Sequence, residues 1–216
     1  MIFELTTWII PLILCMVVHE VAHGYMALKL GDKTAWEQGR LTLNPIVHVD
    51  IIGSLLLPLM LFIAQSPILF GWAKPVPVSV GRLNKPKRDM GLVAAAGPIS
   101  NLLLAICLAI IGKIGLSVLP DSFFTQWFAE NVGHGIMLSL IIGIFNLLPI
   151  LPLDGGRILL SLLPLKYAIR YQETEKYGFF ILFGVLLLSQ VSGINIIGWF
   201  IGTLYPFFLN IVSLFI

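Results

Sequence analysis

From Trp8 to Leu28 the chain is apolar almost without interruption, a run long enough to cross ~30 Å of hydrocarbon as one helix. Its second half nevertheless reads V-H-E-V-A-H-G, from Val18 to Gly24. Helix-centre charges cost on the order of 2.5–3.5 kcal/mol each on insertion scales, so ionisable groups at this depth are expected to have a role. Positions four apart on a helix share a face, with Cβ atoms ~5–6 Å apart. His19 and His23 can therefore offer imidazole nitrogens to one ion, with Glu20 beside that face. The pattern suits zinc, held at ~2.0–2.1 Å by each histidine, with the carboxylate taking a proton from water.

The rest of the chain keeps the same solvent. Apolar residues make up 58% of the 216 positions and charged residues 11%, against about 25% charge in a soluble domain. A polytopic membrane protein is expected, and a net charge of +2 gives no reason to invoke nucleic acid. The basic residues cluster, which speaks to orientation in the bilayer. Cys15 and Cys107 both fall in apolar spans, where thiols behave as small hydrophobes. The N-terminus, M-I-F-E-L-T-T-W, lacks a basic n-region, so the first span is expected to be retained rather than cleaved.

Taken in order, 29–50 is polar, and Gly39–Leu43 alternates like a short strand ended by Asn44-Pro45. Segment 51–65 is apolar but short and holds Gly53 and Pro58, which suits a re-entrant or interfacial piece. In 66–89, G-W-A-K-P-V-P-V-S-V forbids a helix and suggests an edge strand, followed by Arg82, Lys85, Lys87 and Arg88. Segments 90–111 and 133–151 read as spans, the second broken by Pro149 and Pro152; 178–191 and 194–216 are two more. The expected fold is thus an all-α polytopic membrane protein. It has about five transmembrane helices, one re-entrant segment and a small cytoplasmic-side β-hairpin or sheet. Placing the basic loops inside puts the N-terminus outside, the C-terminus in the cytoplasm, and the His-Glu-His motif near the cytoplasmic face.

Two histidines do not complete a catalytic zinc site, which usually takes three protein ligands. His48, Asp50, His134 and Asp154 are the candidates, and Asp154 is the best placed. It follows a proline-broken span at the same expected depth as His19 and His23, although it could instead cap the short helix that begins there. At this point a family resemblance emerges. H-E-V-A-H-G (His19–Gly24) with N-L-L-P-I-L-P-L-D-G-G (Asn146–Gly156) resembles the site-2 protease family of intramembrane zinc metalloproteases. G-P-I-S-N (Gly97–Asn101) resembles that family's middle-helix motif. R-L-T-L-N-P-I-V-H-V-D and G-W-A-K-P-V-P-V resemble a compact bacterial and archaeal subgroup without PDZ or CBS domains, with Ile51 where Pro often follows Asp50.

The resemblance covers roughly 17–157 and implies one zinc ion per chain on His19, His23 and Asp154, with Glu20 as catalytic base. It implies a transmembrane protein as substrate, in the cell membrane of a prokaryote. The chain then reads as a single membrane-embedded protease domain, with a catalytic core at about 8–163 and further spans at 178–216. Asn146 is the first choice and Asn101 the second for positioning substrate, although membrane asparagines also serve as interhelical hydrogen bonds. His48 and Asp50 could support the site from behind, or cap the turn into 51–65. An unwound substrate could add to an exposed strand edge at Gly39–Leu43 or Ala73–Val80. The rival reading is a metal-binding transporter or sensor without proteolysis, but charge is nearly absent from 90–111 and from the last two spans.

Overall fold

The computed structural model describes all residues except 1, 57–58, 61–62, 64–70, 72, 194 and 216. Helix α1 (Ile2–Lys29) is followed by a single turn, α2 (Thr34–Glu37), and then by irregular chain with short helical turns at Pro45–His48, Ile51–Leu56 and Val80–Arg82. The long helices α3 (Pro86–Val118) and α4 (Phe123–Asn146) come next. The chain ends with α5 (Asp154–Leu162), α6 (Leu165–Gln172), α7 (Gly178–Ser192) and α8 (Ile196–Ser213). Among the described residues, four helices are long and apolar enough to cross a bilayer: Phe3–Lys29, Pro86–Val118, Phe123–Asn146 and Ile196–Ser213.

The expected fifth span is α7, whose 15 residues reach only ~22 Å at 1.5 Å per residue. The re-entrant segment expected at 51–65 lies partly outside the described residues; its start, Ile51–Leu56, is a wide helical turn. Helices α1, α3 and α4 pack together, and α8 closes on α3 and α4. Ala105, Ala109, Leu140, Ile144 and Val212 form the buried centre of that contact. Small residues on α3 let backbones approach: a methyl on Gly112 would stand 2.8 Å from Val132, and one on Gly115 2.5 Å from Phe128. Close approach of this kind is the main source of helix affinity in lipid, where burial gains little.

The β-hairpin is a correction. Among the described residues there is no strand. Residues 73–79 pair with no neighbouring strand, and the reason lies in where their N–H groups go. Along an extended chain alternate N–H groups face opposite edges, and Pro75 and Pro77 supply none. On their edge Ser79 N–H donates to Asp32 Oδ2 at 2.6 Å. On the other edge Lys74 N–H goes to the His48 carbonyl at 2.8 Å and Val76 N–H to the Glu20 carboxylate at 2.8 Å. Side chains and a turn carbonyl thus take the donors a ladder needs.

Asp32 holds the far end of this segment. Helix α1 terminates through Gly31 at φ +106°, and Asp32 N–H returns to the Ala27 carbonyl at 2.9 Å, the pattern of a left-handed C-terminal cap. The buried Asp32 carboxylate accepts from Thr34 N–H, the Thr34 hydroxyl and Ser79 N–H. Burial opposes its charge, but these hydrogen bonds, with Arg82 nearby, outweigh that and hold its pKa below the usual carboxylate value. A lowered folded pKa stabilises the fold at every pH above about 3.9, and the contribution disappears as pH falls through the folded value. Asp32→Asn is expected to lose about 1–3 kcal/mol and to speed hydrogen exchange across 74–82. The loss should be constant from pH 5 to 8 and vanish in strong acid.

Candidate metal centre

Helix α1 carries His19 and His23 on one face, both buried. They lie ~15 Å and ~9 Å along the axis from the helix end at Lys29, at 1.5 Å per residue. Helix α3 crosses directly behind them. Its Gly97 has no side chain where a Cβ would stand 2.5 Å from Cε1 of both imidazoles, so the glycine of G-P-I-S-N makes the space the rings occupy. Asn101, one turn further on and fully buried, receives the His19 Nδ1 proton on Oδ1 at 3.2 Å and donates Nδ2–H to the Ser139 carbonyl at 3.2 Å. His23 Nδ1 donates to the Val93 carbonyl at 2.8 Å.

Asp154 arrives from the other half of the chain. Helix α4 ends at Asn146, and a tight loop reverses the chain into α5. Gly156 fits there because a Cβ would lie 2.6 Å from the Leu151 nitrogen, and Tyr171 clasps the loop by donating its hydroxyl proton to the Pro149 carbonyl at 2.9 Å. Leu153 holds the cap position of α5, with no side-chain cap, so Asp154 is not spent on its own helix. Its Oδ2 lies 3.1 Å from His19 Nε2 and 3.3 Å from His23 Nε2, and the two Nε2 atoms are 3.0 Å apart.

These distances test whether a metal fits. A neutral imidazole that donates from Nδ1 presents a bare lone pair at Nε2, and Asp154 Oδ2 is buried with no hydrogen-bond partner. Three acceptors thus face one another. A single proton could satisfy one edge of the triangle; a cation at the centre satisfies all three. In a tetrahedral zinc site with ~2.0–2.1 Å bonds, neighbouring ligand atoms are ~3.3–3.4 Å apart. The observed edges of 3.0, 3.1 and 3.3 Å lie at or a few tenths of an ångström inside that spacing. His19, His23 and Asp154 could therefore hold one zinc ion, and two nitrogens with one oxygen are a donor set that zinc accepts.

The remaining candidates fall elsewhere. Glu20 is partly buried, next to the pair in sequence, with Oε2 on Val76 N–H. Asn146 donates to the Ile142 carbonyl of its own helix at 3.0 Å and does not reach the triad. His48 is buried in the 42–48 turn, its Nε2 on the Thr42 carbonyl at 2.9 Å. Asp50 Oδ1 accepts from Ile52 and Gly53 N–H, capping the turn that follows. His134 is bonded to the Thr7 carbonyl and stacked on Trp8 near the other end of α1. Sequence reasoning missed Gly97 as the floor of the site and Val76 as the donor to Glu20. The spacing of Gly97 and Asn101, four apart on one helix face, is the signal that could have found the first. Gly97→Ala is expected to push both rings aside and weaken zinc binding about 10–100-fold, the usual range for ligand-supporting positions, with helix content unchanged. Asn101→Leu should fall in the same range; zinc titration by calorimetry and circular dichroism measure both.

Residues 121–189 match the model of peptidase family M50. YwhC of Bacillus subtilis, named "Putative zinc metalloprotease YwhC", is 41% identical over 194 residues, covering 85% of this chain and 81% of that protein. The similarly named Rip2 of Mycobacterium tuberculosis strain H37Rv is 31% identical over 201 residues, 93% of this chain and 71% of that one. The zinc metalloprotease MJ0392 of Methanocaldococcus jannaschii is 28% identical over 197 residues, 87% of this chain but 44% of its own length. No solved structure matches. With the zinc-binding geometry and these relatives agreeing, the chain belongs to peptidase family M50, the site-2 protease family of zinc metallopeptidases.

Proposed function

We propose that this metallopeptidase cuts its substrates inside the bilayer, hydrolysing peptide bonds within or near transmembrane segments of other membrane proteins. The observation that carries this is the depth of the triad: three mutually facing acceptor atoms buried between helices α1 and α3 and the start of α5, well inside an apolar helix. His19, His23 and Asp154 would hold one zinc ion per chain. Zinc would supply there a Lewis acid that makes water nucleophilic near neutral pH and stabilises charge on the scissile carbonyl.

Glu20 is the proposed general base. With Oε2 fixed by Val76 N–H, Oε1 is the oxygen that takes the proton from the attacking water and returns it to the departing amide nitrogen. Asn101 and the Val93 carbonyl orient the two imidazoles by fixing their tautomers, and Gly97 leaves room for them. Asn146 stands at the end of α4, with one Nδ2 hydrogen on the Ile142 carbonyl; its second Nδ2 hydrogen is the donor proposed to meet substrate. A helical substrate hides its backbone, so the peptide must unwind before it meets the triad. Lys29, Lys33, Arg82, Lys85, Lys87 and Arg88 collect at the end of α1 and the start of α3, which supports a cytoplasmic setting for this end of the site in a prokaryotic cell membrane. A transporter or sensor is not favoured: the relatives' names are those of proteases, and Glu20 is not needed to bind zinc.

The test is mass spectrometry of cleavage products from co-expressed single-span membrane proteins. Glu20→Gln should keep its zinc and lose about 10²–10⁴-fold in rate, the usual contribution of a general acid–base; unchanged cleavage would sink the proposal. Chelation should abolish activity and added zinc restore it. A cysteine placed at Lys33 or Lys87 should react with impermeant thiol reagents only in inverted vesicles.

A further inference from the structure

We infer that Arg40 is a positioning residue for Glu20, acting through the single peptide bond between Pro75 and Val76. The inference rests on the reading of Glu20 as the base. Arg40 is buried, at 8% exposure, and among the described residues no carboxylate pairs with it. Its Nη2 instead donates to the Lys74 carbonyl at 2.9 Å and to the Pro75 carbonyl at 3.3 Å. The N–H of the same Pro75–Val76 peptide unit donates to Glu20 Oε2 at 2.8 Å. One planar amide thus has a guanidinium on its oxygen and a carboxylate on its hydrogen.

Such an arrangement has a defined physical effect. Amide resonance couples the two ends of a peptide group, so a cation drawing electron density toward the oxygen makes the N–H a stronger donor. Hydrogen bonds in a chain of this kind reinforce one another, and both terminal bonds are charge-assisted. Glu20 gains a fixed orientation, with one oxygen held away from the reaction and the other free to face water. Rotation of the peptide is blocked on both sides. Lys74 N–H is bonded to the His48 carbonyl, Ser79 N–H to Asp32, and the buried Val76 side chain packs where Gly24 has none. Pro75 and Pro77 restrict the backbone between these anchors. The R-L-T-L-N-P-I-V-H turn and the K-P-V-P-V segment, both singled out from the sequence, meet at this amide: the first supplies the guanidinium and the His48 carbonyl, the second the bond that carries the effect.

The test is a double-mutant cycle on purified full-length protein with a cleavable single-span substrate, reading kcat, KM and bound zinc. Arg40→Gln removes the charge. Val76→Pro removes the N–H at a position already extended before Pro77. Each is expected to lower kcat about 10–100-fold, the scale of a slightly misplaced catalytic group, with KM and zinc content unchanged. The double variant should be no slower than the slower single, because both break one connection. Arg40→Lys, which keeps the charge, should recover part of the rate. Wild-type kcat in Arg40→Gln, multiplicative losses in the double variant, or no recovery in Arg40→Lys each overturns the inference. If Arg40→Gln does not fold, as read by circular dichroism, Arg40→Lys takes its place in the cycle with a smaller expected loss of kcat, and a loss that multiplies with that of Val76→Pro overturns the inference. Failure of the underlying reading looks different: wild type and Glu20→Gln would then be equally active or equally inert.

Discussion

Three electron-pair donors are held within 3.3 Å of one another in a buried position between helices. Two imidazole nitrogens and a carboxylate oxygen repel at that spacing unless a cation joins them, and around them the packing is arranged to keep them there. Helix α3 gives up a side chain at Gly97 to admit both rings and uses Asn101 and the Val93 carbonyl to turn their lone pairs inward. The loop before α5 spends two prolines, and the first turn of α5 a close-packed glycine, to bring the carboxylate across. Apolar helices supply the low-dielectric surroundings in which such a grouping is costly when empty of charge balance and strong when balanced.

The triad itself was legible because its spacing is local chemistry. His19 and His23 are one helical turn apart, and the prolines and glycines around Asp154 announce a broken helix that can turn a side chain toward a neighbour. The long apolar helices were legible for the same kind of reason, since their length and composition answer to bilayer thickness alone. The hairpin was not. Alternation in Gly39–Leu43 and Ala73–Val80 describes which side chains face inward, but pairing depends on donors, and here Glu20, Asp32 and the His48 carbonyl compete for them from distant parts of the chain. Nothing in periodicity records such competition. The fifth span failed on length: α7 is apolar only as far as Leu188, turns polar at Ser189-Gln190 and ends after 15 residues.

Asn101 illustrates a subtler limit. An asparagine inside a span near a metal motif suggests a donor to substrate, and spacing alone does not announce that its Oδ1 accepts from His19 and its Nδ2 donates to the Ser139 carbonyl. Membership in peptidase family M50 says what the metal is for; which polar groups serve the ion and which serve the peptide follows from counting donors and acceptors at each atom.

The extended 73–79 segment also bears on how a hydrolytic centre spares the polypeptide that builds it. This stretch runs past Glu20 in the open, stretched form that a peptidase selects. It is anchored at Lys74, Val76 and Ser79, so it cannot slip lengthwise to deliver a scissile bond to the histidines. Two of its amides are tertiary, at Pro75 and Pro77, and cannot offer the N–H by which a strand is gripped. If Glu20 is the base proposed above, the chain keeps its own backbone beside that carboxylate pinned by hydrogen bonds at three positions.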